Sequence, residues 1–171
     1  MSTEFMLGVL VAVIILVAIR ITRRKAGKEG HFDEMQLRLR ARGYGIAYLV
    51  TVIGLLLLTF LFQSEAFSVI EPAFGVFLVL MISIATFAVY CVWNEAFFHV
   101  GQHTNYYMIL CLIVVLLNGT SAVVHFMNGS FLENGRLTFN NGCYLVSTLT
   151  FLAVLIALLL KKAGFGKGKE E

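Results

Sequence analysis

The stretch Ala73–Trp93 reads AFGVFLVLMISIATFAVYCVW and carries no charged residue. A helix rises ~1.5 Å per residue, so a run of this length covers the ~30 Å hydrocarbon core of a bilayer. Inside lipid each backbone N–H and C=O must find its partner within the protein, and a single apolar segment does so only as a helix. The run is therefore read as a transmembrane helix. The residues after it, Asn94 and Glu95, mark where the chain meets water.

Working outward, comparable apolar stretches occur at Phe5–Ile21, Tyr44–Phe62, Tyr107–Phe126 and Cys143–Leu160. The expected architecture is thus all-α: a bundle of five transmembrane helices in one membrane domain spanning residues 1–171, with a flexible tail over 163–171. Hydrophobic residues make up 59% of the chain, above the ~45–50% usual in soluble domains. The segments left between spans are too short to bury a core, so no soluble catalytic domain is expected. The net charge of +3 is no nucleic-acid signal, because the basic residues are grouped by membrane side. Cys91, Cys111 and Cys143 lie in or at the edge of spans with no metal or disulfide spacing, and are read as small hydrophobes.

The grouping of basic residues sets the orientation. Of the 13 Lys and Arg residues, all but Arg136 fall in the first connection (Arg20 to Arg42) or in the tail (Lys161 to Lys169). Alternate connections share a side, so the C-terminus is expected in the cytoplasm and the N-terminus outside. Met1–Glu4 lacks Lys and Arg while Arg20, Arg23, Arg24 and Lys25 follow the first apolar run, the reverse of a cleavable signal. That first span is expected to stay.

Two connections carry local structure signals. Residues 32–42 place Phe32, Met35 and Leu39 on one helical face, with Asp33 and Glu34 at one end and Arg38, Arg40 and Arg42 toward the other. This pattern predicts an amphipathic cytoplasmic helix lying among the headgroups, with Gly43 and Gly45 permitting a bend into the second span. On the outer side, Phe131-Leu132-Glu133 and Arg136-Leu137-Thr138-Phe139 flank Asn134-Gly135. That is a two-residue hairpin signal, with a type I′ turn and Leu132, Leu137 and Phe139 on the bundle-facing side. Pro72 suits the first position of a helix.

Candidate chemistry is sparse. Glu95, His99 and His103 are spaced four apart and form a weak metal-ligand candidate, weakened by the intervening Gly101 and the lack of a fourth ligand. No acidic or basic residue lies near a bilayer centre, where proton and ion pathways carry them. Asn118, Thr120 and Ser121 form the densest polar group within a span, with His125 toward the outer surface. Hydroxyl and small residues there suit helix packing, or a small polar cavity. Asp33, Glu34, Arg38, Arg42 and Glu95 fall at one cytoplasmic level and form a candidate interaction surface. No nucleophile elbow, phosphate loop or HExxH motif occurs.

Phe32-Asp33-Glu34-Met35-Gln36 with Arg42-Gly43-Tyr44-Gly45, then Tyr90-Cys91-Val92-Trp93-Asn94-Glu95-Ala96-Phe97-Phe98, then Asn134-Gly135-Arg136-Leu137-Thr138 resemble, in order, motifs of a family of small multi-span membrane proteins of Gram-positive, Firmicutes-type bacteria. The resemblance covers roughly residues 30–160. It implies a bacterial cell membrane and a cytoplasmic meeting of spans two and three. The family has no established activity, and its pattern has no histidine at the positions of His99 and His103.

The expected function is a non-catalytic role as an interaction, accessory or sensing subunit acting through the cytoplasmic face, without cofactor. The partners expected are the lipid bilayer, anionic lipid at the basic segment, and a protein partner or second copy of the chain. One alternative is a small transporter or channel-like oligomer with a polar path near Asn118; another is a metal-dependent membrane enzyme at Glu95, His99 and His103. The orientation has a direct check. In single-cysteine variants of intact cells, an impermeant thiol reagent should label Ser130→Cys and leave Lys28→Cys and Lys167→Cys untouched; labelling of Lys28→Cys would overturn it.

Overall fold

The computed structural model describes residues 32–63, 69–98, 104–130, 132 and 135–164. Four helices account for most of them: α1 (Glu34–Phe62), α2 (Pro72–Trp93), α3 (Thr104–Met127) and α4 (Phe139–Lys162). All four contain a window long and apolar enough to cross a membrane. They correspond to the second to fifth expected spans; Phe5–Ile21 lies outside the described residues.

The sequence-based boundaries need correction in three places. Residues 32–42 do not form a separate surface helix: from Glu34 onward they are the first turns of α1, which continues unbroken through Gly43 and Gly45 to Phe62. Extending an existing helix adds a hydrogen bond per residue fixed, and no proline interrupts the run. Gly43 serves contact here instead of bending, since an added Cβ would lie 3.0 Å from Tyr90 Cδ1 and 3.3 Å from Cys91 Sγ. Second, α3 and α4 start before their apolar runs, at Thr104 and Phe139.

Third, the described residues form no hairpin. Leu132 is exposed, and Phe139 opens α4 where a strand was expected. Leu137 makes a parallel bridge to Ile70: its N–H donates to the Val69 carbonyl at 2.7 Å, and its carbonyl accepts from Glu71 N–H at 3.1 Å. An isolated hairpin is marginal in water, whereas this bridge ties the segment to the start of α2. Gly135 does adopt positive φ (75°), while Phe131, Glu133 and Asn134 lie outside the described residues.

The helices pack in the order α1–α2–α4–α3, so α2 and α4 form the centre of the described fold. Accordingly, 39% of the apolar window of α2 and 28% of that of α4 are buried, against 11% for α1 and for α3. Consecutive helices α1 and α2 run antiparallel, and close approach is set by small residues. Gly43, Ala47, Thr51, Gly54 and Leu58 recur every three or four positions and present one face. Midway along, the Ser83 hydroxyl donates to the Ala47 carbonyl at 2.9 Å and lies 2.8 Å from Thr51 Oγ1. The buried Ser83 hydroxyl and the half-buried one of Thr51 thus find partners where lipid offers none.

Between α2 and α4 the packing is larger and aromatic. Phe74 fits over Gly142, Phe77 meets Phe139 edge-on at 5.1 Å, and Met81 packs with Val146. At the other end Ala88 and Val92 meet Val154, Leu155 and Leu158, and Cys111 joins them from α3.

The α1–α2 contact gives a paired test. A Cβ at Gly54 would lie 2.7 Å from Val79 Cγ1, while at Gly45 it would meet nothing within 4 Å. Gly54→Val should therefore destabilise by ~1–3 kcal/mol through overpacking. Gly45→Ala should be neutral or stabilising by up to ~1 kcal/mol through helix propensity. Unfolding of purified protein in mixed micelles reads both; equal effects would contradict the packing described.

Candidate functional site

The end of the α1–α2 pair formed by the start of α1 and the close of α2 holds the densest set of long-range polar contacts among the described residues. It begins with the start of α1. Asp33 is the N-cap: its carboxylate accepts from Glu34 N–H at 2.7 Å, and Gln36 returns the contact by accepting from Asp33 N–H at 3.3 Å. This reciprocal capping box fixes the Gln36 side chain. Its amide nitrogen then points across to the chain leaving α2, donating to the carbonyls of Glu95 at 2.7 Å and Phe98 at 3.2 Å. One turn on, the Arg40 guanidinium reaches the carbonyls of Ala96 at 3.3 Å and Phe97 at 3.5 Å. It lies 4.3 Å from the Phe32 ring centre and 5.9 Å from that of Phe87. Two side chains of α1 thereby hold four successive carbonyls that no helix satisfies.

The segment they hold has an unusual ending. Ala96 N–H donates to the Cys91 carbonyl at 2.9 Å and Glu95 N–H to that of Val92 at 3.3 Å. Those bonds define a Schellman ending, which places one residue in the left-handed region, usually glycine. Here it is Glu95, at φ 56°. A side chain in this region costs ~1–2 kcal/mol. The neighbouring Ala96 is fully buried, which fixes the turn beneath it.

From α4, the Lys161 ammonium donates to the Trp93 carbonyl at 3.1 Å and pairs with Glu95 Oε1 at 3.1 Å. The Lys161 side chain is 19% exposed and that of Glu95 72%, so the carboxylate projects outward although one oxygen is engaged. A hollow of about 220 Å³ opens beside it, lined by Asp33, Met35, Gln36, Leu39, Asn94 and Glu95.

Of the interaction residues expected from sequence, Asp33 and Glu95 line this hollow. Glu34, Arg38 and Arg42 are exposed and form no ion pair among the described residues. The contacts across elements come instead from Gln36, Arg40 and Lys161. The capping-box spacing Asp33-x-x-Gln36 was the available sequence signal for Gln36; for Arg40 and Lys161, whose main acceptors are backbone carbonyls, there was none. His99 and His103 lie outside the described residues, and no group of three or more potential ligands gathers among the described ones.

The Asn118 group is not assembled into a shared site. Asn118 donates to Val114, and Thr120 and Ser121 to Leu117, all carbonyls of their own helix. His125 lies 3.1 Å from Ser130 Oγ through Nδ1 and stacks on Tyr144 at 5.4 Å, joining the end of α3 to the start of α4. The chain matches no protein-family model, and no curated protein or solved structure matches it significantly.

The grip of α1 on the turn can be tested directly. Gln36→Leu removes both amide donors and should lower hydrogen-exchange protection of the Ala96–Phe98 amides by ~10-fold, from loss of ~1–1.5 kcal/mol of hydrogen bonding. Protection in the middle of α2 should not change; unchanged protection at 96–98 would show that the turn holds itself.

Proposed function

We propose that this chain is a non-catalytic multi-pass protein of the bacterial cell membrane, an accessory or sensing subunit that meets a protein partner through its cytoplasmic face. The observation that carries this reading is Glu95. A carboxylate stands where the backbone favours glycine, held by Lys161 and by the clamp on its own carbonyl, with most of its side chain exposed. Backbone strain retained at an exposed polar residue points from the outlier toward use of that side chain. Stability gives little reason for it, since an exposed ion pair contributes ~1 kcal/mol or less.

The hollow beside Glu95 and the Asp33 carboxylate offers negative charge and amide groups over an apolar floor of Met35 and Leu39. Such a surface suits a basic side chain on an adjoining protein. The resemblance to a family of Gram-positive membrane proteins supports a bacterial membrane setting, and the Lys/Arg distribution supports a cytoplasmic position for this end.

Glu95→Gly separates the two roles of the residue. Relief of ~1 kcal/mol of left-handed strain should roughly offset loss of the Lys161 pair, leaving thermal stability within ~1 kcal/mol of the parent. Cross-linking in native membranes, followed by mass spectrometry, should recover a protein joined to the parent near Asn94 and lose it with Glu95→Gly. A stable Glu95→Gly variant that keeps all its cross-links would defeat the proposal.

A further inference from the structure

On the opposite side of α1 from the clamp, Arg38 and Arg42 are exposed, and neither makes an ion pair or a ring contact among the described residues. Glu34, one turn above Arg38, forms no pair with it. One turn below Arg42 is Gly45, beside which an added Cβ would meet nothing within 4 Å. Glycine weakens a helix interior relative to alanine. Gly43 and Gly54 admit close contacts from α2; no contact among the described residues explains Gly45. Around it, Arg42, Tyr48 and Leu49 stand three or four residues away and border a notch. Tyr48, Leu49 and Ile53 are exposed and lead on down the apolar face.

Depth fixes what can reach this notch. The 29 residues of α1 extend ~43 Å against ~30 Å of hydrocarbon. With Phe62 at one boundary, Arg42 falls at the other, and Arg38 lies ~6 Å further out, among the headgroups. Gly45 sits below that level, where a lipid can enter and a water-soluble protein cannot.

We infer that this face of α1 binds an anionic phospholipid of the cytoplasmic leaflet. Arg38 and Arg42 take the headgroup phosphate, the glycerol region fills the notch at Gly45, and an acyl chain follows Leu49 and Ile53. Two guanidinium groups a turn apart, unpaired among the described residues, match a phosphate. They select a headgroup of net negative charge, because a zwitterionic one brings its own cation to the same place. The choice of leaflet rests on the orientation read from the Lys/Arg distribution; the site itself does not, and it is independent of the Glu95 surface.

The full-length protein in detergent is titrated with phosphatidylglycerol or phosphatidylcholine and read by native mass spectrometry. Phosphatidylglycerol should bind at least ~10-fold more tightly. The double change Arg38→Gln with Arg42→Gln should cost ~30-fold, about 5-fold for each arginine, and erase the preference. Gly45→Leu keeps both charges and should still weaken binding ~5-fold or more by filling the notch, with thermal stability retained. Lys162→Gln removes a charge from the same end of the fold and should leave binding unchanged.

Four results would overturn the site: no headgroup preference, Lys162→Gln as damaging as either arginine change, Gly45→Leu without effect, or displacement of the lipid by inorganic phosphate. A double arginine variant that keeps its lipid and loses a cross-linked protein would assign the arginines to a protein partner instead.

Discussion

The parallel pairing of α2 and α4 is the contact on which the described fold depends. Both are buried over a larger share of their length than α1 and α3, which are attached outside them. Parallel neighbours place like dipole ends together, which is unfavourable, most of all at a membrane where water screens poorly. The chain answers at both ends. At the amino ends Glu71, the residue before α2, accepts from the first N–H of α4 (Phe139) at 2.7 Å, so a carboxylate at the N-cap position of α2 caps the start of α4. At the carboxyl ends Lys161, in the last turn of α4, donates to the final carbonyl of α2 at 3.1 Å. Acid lies at the amino ends and base at the carboxyl ends.

That arrangement also explains the connection between α3 and α4. Glu71 can reach Phe139 only if the chain entering α4 lies beside the chain entering α2, which the Ile70–Leu137 bridge provides. The Asn134-Gly135 signal describes local turn preference, and Gly135 does take the positive φ it suggests. Local preference of this size is small beside two bridge hydrogen bonds and a charge-assisted cap. The start of α4 at Phe139 follows from the cap, not from the hairpin periodicity.

The four described spans were legible in the sequence because their signal, apolar length without charge, is the property that lipid selects. Their order in space was not, since a helix such as α2 is apolar on every side and its periodicity does not say which face meets which neighbour. Gly43 and Gly54 could be read as small residues, but their partners Tyr90, Cys91 and Val79 appear only in the structure. The contacts between the start of α1 and the turn after α2 were not legible as contacts. A search by opposite charge selects Asp33, Glu34, Arg38 and Arg42, whereas Gln36 and Arg40 bind backbone carbonyls, which every sequence has and none displays.

Helical geometry connects these two groups of residues. At ~100° per residue, positions 36 and 40 share one face of α1, and positions 38 and 42 lie nearly opposite. The inward pair holds the turn after α2, while the outward pair and Gly45 are left toward the surroundings. Since α1 is unbroken through this region, with its capping box at Asp33 and its tight contact at Gly43, both faces move as one body. Whatever contacts Arg38 and Arg42 therefore bears on the same helical turns that fix the backbone of Glu95. The acidic turn and the basic outer face are two sides of one rigid helix end, placed by a capping box that satisfies its backbone before either surface is used.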